Sequence, residues 1–284
     1  MITNLQNEQI KELVKLQLRK GRTEAGVFLI EGVRFVEEAF KAGIKPEQLV
    51  ISPKLAETSR GQQLLTYCHQ QGYPILEVEQ RVLAKVADTE QPQGIVAVVT
   101  IPSYCWPDVL VEGTIPLFQR FTDELKVQIG KVMPCWLVVD GIQDPGNLGT
   151  IIRTAHGAGI SGICLTPGTV DLFNPKVLRS TMGSIFHLPI IQGIAPEDII
   201  AGAKSRAWQV VVGDLGAERE YYQVDLRKPT LLVVGSETQG PSQHFIDGAT
   251  HKVKISMPGG AESLNVAVAT GILLFEGIRQ NKQA

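Results

Sequence analysis

Short apolar runs alternate with amphipathic stretches along the first hundred residues. Apolar runs bounded by glycine or proline predict buried strands, and apolar residues at helical spacing predict helices packed on them. The predicted strands are VFLIEG (27–32), QLVIS (48–52), PILEV (74–78) and GIVAVV (94–99). Helices are predicted at 1–22, 33–42, 57–71 and 79–87, with glycines after the second and third. The pattern predicts a small α/β domain over residues 1–102.

The same alternation resumes at residue 135 and continues to the end of the chain. Its strands are apolar on both faces, which is typical of a mostly parallel sheet covered by helices on both sides. The predicted strands are CWLVVD (135–140), GICLTP (162–167), WQVVVGD (208–214), LLVVG (231–235) and HKVKIS (251–256). The segment 103–134 contains several prolines and glycines and is interpreted as a linker or insertion. The second domain is therefore expected over 135–284.

Polar residues in this second domain are concentrated where apolar strands end. Asn147 and Arg153 follow the first strand, Glu237 lies in a glycine turn after LLVVG, and Ser263 and Asn265 follow a Met-Pro-Gly-Gly turn. Taken one at a time, each has an ordinary interpretation: helix caps for the Asn and Ser residues, a surface arginine and a solvated glutamate. If the strands are parallel neighbours, their carboxyl ends converge, and the three breaks form one ligand site.

Charge and cysteine content narrow the function classes. The net charge of −2 excludes a wholly basic coat protein but leaves room for local phosphate-binding clusters such as Arg19-Lys20-Gly21-Arg22. The four cysteines form no CxxC pair, which indicates reduced thiols in an intracellular protein. The charged N-terminal segment does not resemble a secretory signal, and no apolar run is long enough to span a bilayer. We expect a cytoplasmic protein.

Common cofactor motifs are not supported. Residues 157–162 match GxGxxG, but a helix precedes them and a strand follows, the reverse of the dinucleotide fingerprint. No GxxxxGK[ST], HExxH or GxSxG motif occurs, and the five histidines lack metal-ligand spacing. We expect no metal.

The three polar breaks together resemble the SpoU (TrmH) class of RNA ribose 2′-O-methyltransferases in the SPOUT superfamily. Motif one, N-x-x-x-x-x-R within D-P-x-N-x-G, matches Asp144 to Arg153. Motif two, G-x-E-x-x-G, matches Gly235 to Gly240, and motif three matches Ile255 to Ala269 with its Ser-Leu-Asn. One departure is ISMPG where family members often have IPM-x-G, which leaves Met257 in place.

The resemblance implies a trefoil-knotted C-terminal domain, a homodimer through the knot region, and S-adenosylmethionine as cofactor. It implies that Arg153 is the key catalytic residue, with Asn147, Glu237, Ser263 and Asn265 at the other active-site positions. Cofactor contacts carried over by motif are Gly235, Gly240, Ile255, Met257 and Leu264. The sulfonium methyl is already activated, so the chemistry needs no metal. Arginine has a very high pKa, so orienting a substrate phosphate suits Arg153 better than acting as a base.

The first domain resembles the family's substrate-binding module. The shared features are a basic start, an F-L-x-E-G strand at 28–32 and a Q-G-I/V strand at 93–95. The expected RNA contacts are Arg19, Lys20, Arg22, Arg34, Lys176 and Arg179. Ribosomal RNA is the favoured substrate and transfer RNA the alternative. A non-catalytic RNA-binding protein and a base methyltransferase are the competing classes. The intact motif residues disfavour the former, and Ser-Leu-Asn marks the ribose branch against the latter.

Overall fold

The computed structural model describes residues 1–104, 106 and 133–282, so the predicted linker at 103–134 lies almost wholly outside the described residues. The chain forms two compact units. The first contains Met1–Pro102 together with Phe173–Phe186, and the second contains Ser103–Leu172 together with His187–Ala284. None of the helices in the described part is long and apolar enough to cross a membrane.

The first unit is built on a four-stranded mixed sheet. Its strands are β1 (Val27–Glu31), β2 (Gln48–Ile51), β3 (Ile75–Glu77) and β4 (Ile95–Thr100), in the order β1-β4-β2-β3. β4 is antiparallel to both of its neighbours, and β2 and β3 are parallel. The helices are α1 (Glu8–Lys15), α2 (Arg19–Ala25), α3 (Val33–Lys41), α4 (Ser59–Gln70), α5 (Gln80–Val86) and α7 (Pro175–Thr181). The predicted α/β character of this unit is confirmed.

Two motif residues of this unit, Glu31 and Gln93, hydrogen-bond to backbone groups. The Glu31 carboxylate accepts hydrogen bonds from the backbone N–H groups of Asp88 (2.9 Å) and Thr89 (3.2 Å), and from the Thr89 hydroxyl. The Gln93 side-chain oxygen accepts from the backbone N–H of Val33 (3.0 Å), at the first turn of α3. Glu31 therefore holds the loop that leads to Gln93, and Gln93 holds the start of α3, which follows Glu31 closely. Both side chains satisfy backbone N–H groups at the ends of helices and strands.

The N-terminal segment forms two helices where one was predicted. α1 ends at Lys15 and α2 begins at Arg19. Arg22 is buried, and its guanidinium donates to the carbonyls of Leu16 (2.8 Å) and Gln17 (2.7 Å). Cations at a helix C-terminus stabilise its last carbonyls, and here the cation comes from the following helix. This contact satisfies two carbonyls at the junction between α1 and α2.

The second unit is built on a seven-stranded parallel sheet. Its strands are β5 (Met133–Asp140), β6 (Ile160–Leu165), β7 (Ile190–Gln192), β8 (Gln209–Gly213), β9 (Arg219–Glu220), β10 (Thr230–Gly235) and β11 (His251–Lys254). They lie in the order β7-β6-β5-β10-β8-β11-β9, and every pairing is parallel. The predicted mostly parallel sheet is confirmed.

Helices cover both faces of this sheet, as predicted. They are α6 (Pro145–Ala158), α8 (Pro196–Ser205), α9 (Gln243–Gly248) and α10 (Val266–Lys282). One face presents Trp136 and Val138 to a core that α8 and α9 complete with Ile199 and Phe245. On the opposite face α6 and α10 pack against each other and against the sheet. Successive strand residues point to opposite faces, so continuous apolar runs serve both layers.

Trp136 packs directly on the backbone of Gly162 in this core. Trp136 is 1% exposed, and a Cβ at Gly162 would lie 2.5 Å from its ring.

Among the described cysteines, Cys68, Cys135 and Cys164 are buried free thiols. Burial raises the pKa of Cys135 to about 12 and that of Cys68 to about 11. These thiols stay protonated and pack as small apolar groups.

Candidate active site

The three motif loops leave the same edge of the seven-stranded sheet. β5 ends at Asp140, β10 at Gly235 and β11 at Lys254, and a motif follows each of them. Because the strands are parallel, their carboxyl ends lie at one edge, where α/β proteins usually bind ligands. The predicted convergence of the three breaks is confirmed at the level of the strands.

Motif one opens helix α6, and its first turn differs from the prediction in one respect. Asp144, not Asn147, is the N-cap: its carboxylate accepts a hydrogen bond from the Asn147 backbone N–H at 2.7 Å. Pro145 occupies the first helical position, where its missing N–H costs nothing. The expectation that Asn147 caps this helix is therefore wrong. Its side chain is left free for other contacts.

Asn147 links the three motifs through its side chain. Its amide nitrogen donates to the carboxylate of Glu237, and its amide oxygen accepts from the amide nitrogen of Asn265 at 2.9 Å. The Asn265 oxygen in turn accepts the backbone N–H of Ala267 at 3.0 Å, so Asn265 also caps the start of α10. We call this series, Asn265–Asn147–Glu237, the amide relay. It joins residues from motifs one, two and three.

A cavity of about 330 Å³ lies beside the amide relay. All five residues expected to contact the cofactor line it, and so do the expected active-site residues Glu237 and Ser263. The five are Gly235, Gly240, Ile255, Met257 and Leu264. Its volume is at the low end of the usual range for small-molecule sites.

Sequence reasoning missed the part of the wall that follows β8. Gly213, Asp214 and Leu215 line the cavity alongside the motif residues. The signal was present, because an apolar run ends there at glycine and aspartate as in the motif strands. The missing information was that β8 lies next to β10 in the sheet.

Motif two forms a turn in which glycine is required twice. The backbone N–H of Gly240 donates to the Ser236 carbonyl at 2.9 Å, and Gly240 has a φ of +66°, a conformation that other residues rarely adopt. The end of the turn passes very close to Gly235. A Cβ at Gly235 would lie 2.1 Å from the carbonyl carbon of Gly240 and from the nitrogen of Pro241. The turn therefore presents bare backbone to the cavity.

Motif three carries the one departure from the family pattern. Ser256, in the place where proline is common, donates its hydroxyl hydrogen bond to the Glu220 carboxylate. The next turn closes through the Gly260 N–H, which donates to the Met257 carbonyl at 3.0 Å. Ser256 thus ties this loop to β9, a contact that proline could not make.

Arg153 lies on α6 outside the amide relay. It is exposed and makes no hydrogen bond or ion pair with any residue that the structure describes. One turn further along, the ring of His156 stacks on that of His187, with centroids 4.6 Å apart. Burial, and then the neighbouring His187, lower the pKa of His156. Arg153 is thus a guanidinium available to an external anion.

The expected RNA contacts all belong to the first unit, and five of the six are exposed. These are Arg19, Lys20, Arg34, Lys176 and Arg179. Arg179 forms an ion pair with Asp88. Arg22 is the exception, because it is buried and its guanidinium holds the carbonyls between α1 and α2. The prediction that Arg22 contacts RNA is wrong, and its role is to stabilise that junction.

Within residues 1–104, 106 and 133–282, no cluster of three or more His, Cys, Asp or Glu side chains is arranged to hold an ion.

The fold agrees with comparisons to known proteins. Residues 134–275 match the model of the SpoU rRNA methylase family, and residues 7–97 match that of the MRM3-like substrate binding domain. The chain therefore belongs to the SpoU methylase family, and the resemblance inferred from the three motifs is confirmed.

Individual relatives share this arrangement over nearly their whole length. A 23S rRNA guanosine 2′-O-methyltransferase of Bacillus subtilis, RlmP, is 34% identical, with 96% of this chain and 97% of that protein covered. An rRNA methyltransferase of Sinorhizobium meliloti solved with bound AdoMet is 32% identical, with a TM-score of 0.79 over 98% of this chain and 97% of that one. AviRb of Streptomyces viridochromogenes, also solved with AdoMet, gives a TM-score of 0.80 at 26% identity, covering 98% and 100% of the two chains.

Proposed function

We propose that this protein transfers a methyl group from S-adenosylmethionine to a ribose 2′-hydroxyl of ribosomal RNA. The observation that carries the proposal is the amide relay, which joins all three motifs beside a cavity bordered by motif-two and motif-three backbone. The enzyme class and the cofactor expected from the motifs are confirmed by the family and by its AdoMet-bound members.

The cavity suits the proposed cofactor. Val234, Ile255 and Leu264 give it apolar walls that fit an adenine ring, while the bare backbone at Gly235 and Gly240 allows close approach and hydrogen bonding. Met257 and Pro241 complete the apolar lining. When bound, S-adenosylmethionine supplies a methyl group activated by the sulfonium charge.

The hydrogen bonds of the amide relay can run in only one donor-to-acceptor direction, and this direction determines what the Glu237 carboxylate can do. The Asn265 oxygen accepts backbone N–H groups, so its nitrogen must donate to Asn147. Asn147 must then donate to Glu237, and this holds the carboxylate in place with acceptor capacity to spare. We propose that the Glu237 carboxylate accepts a hydrogen bond from the ribose hydroxyl and orients it, with Ser263 beside it in the cavity wall. Orientation of this kind supplies much of the rate of a displacement reaction.

Arg153 is proposed to bind the phosphate next to the target ribose. A guanidinium binds a phosphate through two parallel hydrogen bonds, which fixes the position of the nucleotide as well as attracting it. A guanidinium is a poor proton acceptor, so we assign Arg153 the role of an anchor for the substrate and not that of a base.

The exposed cations of the first unit are proposed to supply RNA affinity. They are Arg19, Lys20, Arg34, Lys176 and Arg179. The first three lie within residues 7–97, which match the substrate-binding family model, and the other two belong to the same unit. Lysine and arginine contacts with phosphates dominate such affinity and make it dependent on salt. Curated relatives act on 23S rRNA, and transfer RNA remains the alternative substrate class.

We further propose a cytoplasmic homodimer with a knotted second domain. Val268 and Phe275 on α10 are each 52% exposed and lie two turns apart, so they form an apolar strip on one face of the helix. A second copy of this chain would cover this strip.

Phe275→Asp should convert the dimer to monomer in light scattering. A wild-type protein that is monomeric at micromolar concentration would exclude this assembly.

The function is tested by methyl transfer to defined RNAs. Purified protein is incubated with methyl-labelled S-adenosylmethionine and either unmodified ribosomal RNA or unmodified transfer RNA, and the product is mapped by resistance to alkaline cleavage. We expect one resistant ribose in ribosomal RNA, and its loss in a strain lacking the gene. Label in a base, label only in transfer RNA, or no label at all would each contradict the proposal.

A further inference from the structure

Asp140 is a buried acidic residue that the motif pattern did not single out. It is the last residue of β5, only 7% exposed, and it pairs in the sheet with Gly235, where the motif-two turn begins. A buried carboxylate is costly unless its oxygens receive hydrogen bonds, so its partners indicate its role.

One carboxylate oxygen holds the motif-two turn. Oδ2 accepts the backbone N–H of Ser242 at 2.7 Å. Ser242 follows Pro241, at the point where the turn returns past Gly235 with no room for a side chain. The turn is therefore fastened to the sheet at its start by strand pairing and at its end by Asp140.

The other oxygen holds the motif-one loop through one intermediary. Oδ1 accepts the Thr166 hydroxyl at 2.7 Å, and the Thr166 oxygen accepts the backbone N–H of Gly141 at 3.1 Å. Neither Ser242 nor Thr166 lies within a helix or a strand. Both hydrogen bonds therefore act on loops at the cavity edge of the sheet.

We propose that Asp140 is a positioning residue that holds the 235–242 turn in its cofactor-binding shape, an inference that rests on the function proposed above. Asp140 is not among the described residues that line the cavity, and it acts through the backbone of Ser242, with Thr166 as its second anchor. Hydrogen bonds to a carboxylate are stronger than those between neutral groups, and more so when water is excluded. Loss of these hydrogen bonds should weaken cofactor binding more than RNA binding.

The experiment compares Asp140→Asn, Thr166→Val and Thr166→Ser in the full-length protein. The asparagine amide has a single acceptor oxygen, so it cannot accept both hydrogen bonds. Thr166→Val removes the hydrogen bond from Thr166 to Asp140 together with the acceptor for the Gly141 N–H, and Thr166→Ser retains both. The measurements are the Kd for S-adenosylhomocysteine by calorimetry, KM for S-adenosylmethionine, KM for RNA, kcat and the thermal midpoint.

For Asp140→Asn we expect the S-adenosylhomocysteine Kd and the S-adenosylmethionine KM to rise about tenfold, equivalent to one charged hydrogen bond. KM for RNA and kcat at saturating cofactor should stay within about threefold, since the RNA-facing groups are not altered. Thr166→Val should weaken cofactor binding only about threefold, because the hydrogen bond from Ser242 to Asp140 remains, and Thr166→Ser should restore the wild-type value.

A lower thermal midpoint with an unchanged cofactor Kd would show a purely structural role and overturn the proposal. A rise in the RNA KM without a rise in the cofactor Kd would overturn it as well. If Asp140→Asn does not fold, the difference between Thr166→Val and Thr166→Ser decides alone. Wild-type protein that neither binds S-adenosylhomocysteine nor methylates RNA refutes the proposed function instead. Normal wild-type activity with unaffected variants refutes only the role of Asp140.

Discussion

Both units carry motif residues at strand ends, but their polar side chains are used differently. In the first unit, Glu31 and Gln93 hydrogen-bond to backbone N–H groups of neighbouring loops. In the second, Asn147, Glu237 and Asn265 hydrogen-bond mainly to one another beside a cavity. The hydrogen-bond partners of a motif side chain thus distinguish two roles. A side chain bonded to loop backbone maintains the fold, whereas side chains bonded to one another beside a cavity are positioned for a substrate.

Replacement of Arg153 should give the largest effect and tests the functional side of the comparison. Arg153→Ala removes the proposed phosphate anchor, so kcat/KM for RNA should fall at least about 100-fold, as when one charge-stabilising donor is removed from an active site. The Kd for S-adenosylhomocysteine should not change. Lys204→Ala, which alters an exposed cation on α8, should leave both unchanged. Wild-type turnover by Arg153→Ala would remove this residue from the mechanism.

Gly235 allows the proposed cofactor-binding turn of the second unit to be tested without altering any polar group. Gly235→Ala places a methyl group 2.1 Å from the backbone of Gly240 and Pro241, so the turn must move. We expect the Kd for S-adenosylhomocysteine to rise at least about tenfold, or roughly 1.4 kcal/mol. Gly259→Ala is the matched control, because its methyl group would meet nothing within 4 Å. Equal affinities for the two variants would contradict the tight turn.

Replacement of Glu31 tests whether the motif residues of the first unit maintain its fold. Glu31→Ala leaves the N–H groups of Asp88 and Thr89 without their partner, so thermal and denaturant unfolding should show a loss of about 2 kcal/mol. The cofactor Kd should remain at the wild-type value. Glu24→Ala, at an exposed position 3.8 Å from Lys20, should have little effect on stability. A change in cofactor affinity with unchanged stability would break the comparison.

His156 gives the smallest expected effect, on stability as a function of pH. Its pKa in the folded protein is lowered from the ordinary 6.5 by burial and by His187, so the unfolded chain binds a proton at higher pH than the folded one. The stabilisation is complete above pH 6.5 and is lost as the pH falls through the folded pKa. Unfolding midpoints measured from pH 8 to 5 should fall less steeply for His156→Gln than for the wild type. An identical slope would refute the shift.

Apolar patterning predicted most of the strands and the parallel character of the second sheet. Runs such as LLVVG and CWLVVD are too uniformly apolar for a half-exposed strand, and this determines the covered sheet. The order of the strands could not be predicted, because periodicity does not say that β10 lies between β5 and β8. The wall after β8 was missed for this reason.

Polar residues were harder to predict because their partners are distant in sequence. Asn147 reads as a helix cap, yet Asp144 takes that position and Asn147 bonds to Glu237 and Asn265. Arg22 reads as part of an exposed basic cluster, yet it binds carbonyls a few residues earlier in the chain. Asp140 reads only as the polar end of an apolar strand. A one-dimensional pattern gives the residue type at a position but not its hydrogen-bond partner.

The strand order of the second sheet also has a consequence for how the chain folds as it is synthesised. At the centre of the sheet Cys135 pairs with Thr230, and β6 and β7, which come between them in the chain, lie on the far side of β5. Long-range pairings of this kind form slowly, since a large loop must close before any contact compensates for the lost entropy. β5 therefore remains without one neighbour until β10 has left the ribosome. Until then one edge of β5 has no partner strand, and an unpaired strand edge favours aggregation.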